Sequence, residues 1–166
     1  MNKIMHTINV KISDYQVTKA PIKLKTTGLG SCVGVVVFEP SRHVAAMAHV
    51  MLPSSELSRD LTFNLAKYAD TALPVMVTEL IQSFGVQRQH LKAKIAGGAQ
   101  MFQFTGKSEA LRIGPRNIEA VKDTLKSLEI PVIAEDVGGQ NGRTIEFDIE
   151  KCQLMIRTIH KGITAI

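Results

Sequence analysis

Thr26-Thr27-Gly28-Leu29-Gly30-Ser31-Cys32-Val33-Gly34-Val35-Val36-Val37-Phe38, followed after a short polar break by Val44-Ala45-Ala46-Met47-Ala48-His49-Val50-Met51-Leu52-Pro53, decides how this chain is read. Both halves contain apolar runs bounded by turn residues, the pattern of buried strands. Glu39-Pro40-Ser41-Arg42-His43 between them has the composition of a tight connection. The two runs are therefore predicted to form an antiparallel hairpin. A glycine-punctuated turn delivers Cys32 to the mouth of the first strand, and His49 interrupts the second. Counted from the middle of the turn, Cys32 lies about as far back as His49 lies forward. Across an antiparallel ladder opposed Cβ atoms are ~5 Å apart, so the two side chains are expected to be neighbours.

A thiol beside an imidazole is the minimum equipment of a cysteine nucleophile with its general base. Each residue alone also has a plainer reading. A cysteine next to an apolar strand is often a small buried hydrophobe, and a histidine among alanines and valines is often a core residue with a satisfied ring. Spacing does not by itself bring Sγ within reach of the ring.

The 166 residues are expected to form one domain, residues 1–166, with 45% hydrophobic residues to supply its core. No run is long and apolar enough to span a bilayer, so membrane insertion is not expected. The start, Met1-Asn2-Lys3-Ile4-Met5-His6, lacks the apolar stretch of a secretory leader. Two cysteines, Cys32 and Cys152, make neither a disulfide framework nor a zinc site. A free nucleophilic thiol suits a reducing cytoplasm, which is the expected compartment. The net charge of +5 permits an acidic partner surface. Scattered lysines and arginines and the absence of tryptophan argue against a nucleic-acid platform.

Working outward, strands are expected over Thr7 to Ile12, Ile22 to Thr26, Leu91 to Ala96, Pro131 to Val137, Thr144 to Ile149 and Leu154 to Ile159, the last two as a hairpin. Leu65, Ala69, Ala72, Leu73, Met76, Leu80 and Phe84 recur at helical spacing. Pro74 requires that this helix either starts near Asp70 or Thr71 or kinks. A second helix is expected after Asn117, read as its N-cap, with Ile118, Val121, Leu125 and Leu128 on one face. Two helices among many strands indicate an α+β fold. Gly28-Leu29-Gly30, Gly97-Gly98 and Gly138-Gly139-Gln140-Asn141-Gly142 fit neither a dinucleotide fingerprint nor a phosphate-binding loop. They read as tight turns or as backbone walls offering N–H groups to an oxyanion. The turn before Cys32 is the best placed for that, with Gly30 and Ser31 as donor candidates.

Six blocks, in order, resemble the CheD family of chemoreceptor glutamine deamidases. They are Lys25-Thr26-Thr27-Gly28-Leu29-Gly30-Ser31-Cys32, Ala46-Met47-Ala48-His49-Val50-Met51-Leu52-Pro53, Lys67-Tyr68-Ala69-Asp70-Thr71-Ala72, Lys94-Ile95-Ala96-Gly97-Gly98-Ala99-Gln100-Met101-Phe102, Ile113-Gly114-Pro115-Arg116-Asn117 and Glu135-Asp136-Val137-Gly138-Gly139. The resemblance implies a layered α+β sandwich of mixed and antiparallel sheets with two main helices, similar to cytotoxic-necrotizing-factor-type cysteine deamidases. It implies hydrolysis of selected glutamine side chains of methyl-accepting chemotaxis receptors to glutamate, with loss of ammonia and with no metal or organic cofactor. By the same resemblance Cys32 is the nucleophile, His49 the base and Thr26 the third member of a triad. Strand alternation puts Thr26 and Thr27 on opposite faces, so only one of them can serve. His49 is expected to hold an ion pair with the Cys32 thiolate. The turn Glu150-Lys151-Cys152 departs from the family, which often has a glycine there. Other readings stay open: a regulatory partner of a CheC-type phosphatase with a vestigial site, a cysteine hydrolase of another amide, and a transglutaminase.

Overall fold

The computed structural model describes residues 6–59, 62–100 and 112–166. Met101 and Phe102, the end of one of the six blocks, lie outside the described residues. Ten strands and two α-helices follow in the order β1 (Thr7–Asn9), β2 (Tyr15–Lys19), β3 (Lys23–Leu29), β4 (Val33–Glu39), β5 (Val44–Val50), α1 (Ala69–Phe84), β6 (Lys92–Gly97), α2 (Ile113–Ser127), β7 (Val132–Val137), β8 (Arg143–Asp148), β9 (Gln153–Thr158) and β10 (Gly162–Ala165).

The strands form two five-stranded sheets, β1-β3-β8-β9-β10 and β2-β5-β4-β6-β7. Each contains one parallel pair, β1 with β3 and β6 with β7, among antiparallel neighbours. The fold is α+β with mixed sheets, as expected from the sequence. The predicted hairpin is β4–β5, in register from Val33↔Val50 to Glu39↔Val44. Its connection is closed by the Glu39 carboxylate, which accepts from the backbone N–H groups of Ser41 and Arg42 at 3.1 and 2.8 Å.

Every residue of β4 and β5 is buried. That explains their nearly continuous apolar sequence, because a sheet covered on both faces needs no polar alternation. One face of the hairpin, carrying Val33, Val35, Val37, Ala46, Ala48 and Val50, packs against α1 and α2. The other face carries Cys32, Val36, Phe38, Ala45 and Met47 and packs on the other sheet through Leu24, Ile145, Phe147 and Ile156. The Phe38 and Phe147 rings lie 5.1 Å apart between the sheets. Three layers result: helices, the β4–β5 sheet, and the β3–β8 sheet.

Five elements differ from the sequence reading. Strands β2 and β10 were not expected, and the run Thr7 to Ile12 is a strand only over Thr7–Asn9. Helix α1 starts at Ala69 and continues through Pro74. Proline in the second turn forfeits only one backbone bond close to the helix start, where few have formed. Helix α2 starts at Ile113, four residues before the expected cap. Asn117 is therefore inside the helix, and it is fully buried.

The Gly97-Gly98 turn packs directly on the residue that carries the thiol. A Cβ at Gly97 would sit 2.4 Å from the Cys32 carbonyl oxygen, and its φ of 112° disfavours any side chain. Gly85, which ends α1 with φ 64°, has open space around the equivalent position. Gly97→Ala is expected to combine backbone strain with overpacking, about 2–5 kcal/mol, against about 1 kcal/mol for Gly85→Ala. Thermal melts of the two variants check this; equal shifts would show that the turn can move off Cys32.

Candidate active site

Cys32 sits in the bend that leads into β4, with 7% of its surface exposed. His49 lies opposite Gly34 in the β4–β5 ladder. Cys32, two residues before Gly34, is thus the diagonal neighbour of His49 on the face toward the second sheet. Gly34 leaves room there, since a Cβ would meet Ile145 Cδ1 at 2.5 Å. The His49 backbone is held on its other edge as well, its N–H donating to the Asp14 carbonyl at 2.9 Å and its carbonyl accepting from Ser13 at 3.1 Å.

Strand β3 brings the third side chain from the facing sheet. Thr26 is buried and Thr27 exposed, so the alternation selects Thr26. Its hydroxyl makes two contacts of 2.7 Å, one to the Val10 carbonyl oxygen and one to His49 Nδ1. A carbonyl can only accept, and a hydroxyl has a single proton. Thr26 must therefore donate to Val10 and accept from His49. The imidazole then carries its proton on Nδ1 and presents a bare lone pair at Nε2. Nε2 is buried and has no hydrogen-bond partner.

Burial pushes the Cys32 thiol above its ordinary range, while its own N–H, lying against the sulfur, works in the opposite direction. Burial also pushes His49 down to about 4. Both directions favour uncharged groups. Both shifts favour a neutral thiol beside a neutral imidazole at rest, whereas the sequence reading expects an ion pair.

The turn before Cys32 is tied down through its carbonyls. The Gly30 carbonyl accepts from Ala99 N–H at 2.8 Å, and the Cys32 carbonyl accepts from Gly98 N–H at 2.8 Å. The Ser31 carbonyl accepts from Asn117 Nδ2 at 2.9 Å. The Gly30 N–H donates to the Gly28 carbonyl at 3.1 Å. Of the two donor candidates Gly30 is thus engaged inside the turn, which leaves Ser31; the Cys32 N–H is the next donor along the bend. The Gly138-Gly139 turn also serves the framework: Gly138 N–H donates to Gly97, and Gly139 accepts from Gln100, both at 2.9 Å.

Sequence reasoning missed Asn117. Asparagine near a helix start signals a cap, and only the three-dimensional neighbourhood reveals the bridge it makes. Cys152 is half-buried in the β8–β9 turn, where it adopts φ 51°, the conformation for which the glycine was expected. His6, His43, His90 and His160 are exposed. Among the described residues no group of three or more His, Cys, Asp or Glu side chains is arranged to hold a metal ion, and no helix is long and apolar enough to cross a membrane.

A chemoreceptor glutamine deamidase CheD from Halalkalibacterium halodurans is 53% identical over 155 residues, covering 93% of this chain and 95% of its own. Its counterpart from Bacillus licheniformis is 45% identical over 166 residues, covering 100% of this chain and 98% of its own. The Bacillus subtilis protein of the same name is 46% identical over 93% of both chains. A solved Neisseria meningitidis structure of the DUF152 family superposes with a TM-score of 0.49 at 9% identity, over 82% of this chain and 65% of that one. The family model described as CheD chemotactic sensory transduction matches residues 51–158, more than half of the chain. On that match, and on relatives that align across Thr26, Cys32 and His49 as well, this chain belongs to the CheD family.

Proposed function

We propose that the chain is a protein-glutamine deamidase that converts selected glutamine side chains of methyl-accepting chemotaxis receptors to glutamate. Cys32 is its nucleophile, His49 its general base and Thr26 the residue that orients the base. The observation that carries the reading is the Thr26 hydroxyl. By donating to Val10 it accepts from His49 Nδ1–H, which leaves Nε2 as a buried, unpartnered base on the face that carries the thiol. The family supplies the reaction class, and the name of the relatives supplies the receptor as substrate.

The chemistry follows from this proton arrangement. Because burial favours the neutral form of both groups, the thiol proton passes to Nε2 as sulfur attacks the carboxamide carbon. The tetrahedral oxyanion is met by the N–H groups of Ser31 and Cys32. The imidazolium then gives its proton to the departing nitrogen, the C–N bond breaks, and ammonia leaves a thioester on Cys32. Water, deprotonated by Nε2, attacks the thioester carbon. Glutamate is released and the thiol recovers its proton. A hydroxyl orients the ring less strongly than a carboxylate, and it adds no negative charge to raise the ring's basicity.

Cys32→Ala is expected to abolish deamidation of a receptor cytoplasmic fragment, and His49→Ala to lower the rate by roughly 10²–10⁴-fold. Mass spectrometry of the fragment, reading the conversion of amide to acid, checks both. A wild-type chain that deamidates nothing while binding a CheC-type phosphatase would leave the regulatory-partner reading in its place. Thioester capture by an added amine in preference to water would reassign the chain as a transglutaminase.

Thr26→Val keeps the branched shape and removes the acceptor of Nδ1–H. The expected rate loss corresponds to about 1–3 kcal/mol, or roughly 5- to 150-fold. Thr27→Val is expected to leave the rate unchanged. Steady-state deamidation by the two variants decides between the hydroxyls, and a larger defect at Thr27 would reverse the assignment.

The low value at His49 sets the pH response. Nε2 stays unprotonated down to about 4, so the acidic limb of kcat/KM is expected near 4 and not near 6.5. The stability contribution has the matching sign. The unfolded ring takes up a proton near 6.5 and the folded one near 4, so stability is fully present above 6.5 and lost as the pH falls through this window. A pH–rate profile, with parallel melts of wild type and His49→Ala, checks both; an acidic limb near 6.5 would show a ring open to water.

A further inference from the structure

Asn117 is fully buried inside α2, and its side-chain amide donates to two carbonyls at once, Ser31 at 2.9 Å and Met51 at 3.0 Å. Ser31 immediately precedes the thiol-bearing residue. Met51 lies one step beyond the Val33↔Val50 pair, at the ladder position opposite Cys32. One NH2 group thus ties the nucleophile bend to the end of the strand that carries His49. Both partners are acceptors, so the amide cannot be turned over without placing Oδ1 against a carbonyl oxygen. Its orientation is fixed, and Oδ1 is left buried with no partner.

The peptide unit explains what this arrangement achieves. In a planar trans peptide the C=O of one residue and the N–H of the next point in opposite directions. Fixing the Ser31 carbonyl therefore fixes the Cys32 N–H, which points the other way and lies against the Cys32 sulfur. The Ala99 N–H on the Gly30 carbonyl does the same for the Ser31 N–H. A carbonyl that accepts a hydrogen bond also polarises its peptide and sharpens the donor at the other end. Of the three consecutive carbonyl tethers at Gly30, Ser31 and Cys32, the middle one is made by a side chain and the outer two by backbone. Helix α2 is seated closely enough to reach it. A Cβ at Gly114 would stand 2.4 Å from the Ala99 carbonyl oxygen.

We infer that Asn117 is a positioning residue for catalysis: through the Ser31 carbonyl it aims the Cys32 N–H at the oxyanion of the tetrahedral intermediate. The inference rests on the proposed Cys32 thioester mechanism and assigns a part of it that neither Cys32 nor His49 supplies.

The test separates two reactions of the same thiol. Deamidation passes through an oxyanion. Alkylation by iodoacetamide displaces iodide at a saturated carbon and needs only the sulfur and its base. Asn117→Ala is expected to lower kcat for deamidation of a receptor fragment by about 10- to 100-fold, with KM and the Cys32 alkylation rate within about threefold of wild type. Asn117→Leu keeps the volume without the donors and covers the case in which the alanine variant does not fold; the same separation is expected. Parallel loss of deamidation and alkylation would make Asn117 a general packing residue and overturn the inference, as would an unchanged kcat. Cys32→Ala run alongside tells the two proposals apart. If it still deamidates, the thioester reading fails; if it is dead while Asn117→Ala is fully active, only the positioning role fails.

Discussion

The register of the β4–β5 ladder is the constraint on which everything else at this site depends. Side chains alternate with a period of two, so a slip of one residue would send His49 to the helix side and leave Thr26 facing a methyl group. Two separate cores hold the register. Val35, Val37, Ala46 and Ala48 belong to the helix-facing cluster, and Val36, Phe38, Ala45 and Met47 to the inter-sheet cluster. A slip would exchange the two sets and misfit both cores at once. The Glu39 carboxylate pins the hairpin turn, and Phe38 meets Phe147 between the sheets. The reactive pair is therefore set by packing far larger than itself.

Burial gives the site its electrostatic character. His49 and Cys32 sit where charge is costly, and each is shifted toward its neutral form. The low proton affinity of the ring has a compensating use. A weakly basic Nε2 gives a strongly acidic imidazolium, which is what the departing amide nitrogen of the proposed reaction requires. The arrangement favours leaving-group protonation over accumulation of free thiolate, and a thiol kept neutral at rest is less prone to oxidation.

Much of this site was legible from the chain alone. Two apolar runs around Glu39-Pro40-Ser41-Arg42-His43 predict the hairpin, but counting outward from it puts Cys32 directly across from His49, whereas the register pairs His49 with Gly34 and makes Cys32 its diagonal neighbour. The resemblance points to Thr26, and alternation says that Thr27 cannot share its face. What was not legible is of another kind. Short strands such as β2 and β10 carry too few residues to declare a period, and pairing with β5 and β9 makes them strands. Asn117 reads as a cap because its residue type is commonest there. Its place inside α2 is set by where Gly114 meets the Gly98–Ala99 turn, a tertiary contact. Gly30 looks like an oxyanion donor until its N–H is found on Gly28. Residue types also do not reveal how completely two sheets bury a thiol and an imidazole, and so give no sign of the shift toward their neutral forms.

The unpartnered atoms show where stability gives way to chemistry. Among the described residues three buried side-chain nitrogens or oxygens have no hydrogen-bond partner: His49 Nε2, Asn117 Oδ1 and Arg143 Nε. A buried unsatisfied group costs about 1–3 kcal/mol, a large share of the ~5–15 kcal/mol by which a folded domain is stable. Two of them flank the bend that carries Cys32: His49 pairs with Gly34 and Asn117 holds Ser31, while Arg143 pairs with Leu29 in the other sheet. In the proposed mechanism His49 Nε2 is the base, and a base that is to take a proton must keep its lone pair free. For Asn117 Oδ1 it follows from geometry, because an amide that turns both hydrogens toward carbonyls has nothing left to offer its own oxygen. Both residues flank the short bend that presents Cys32.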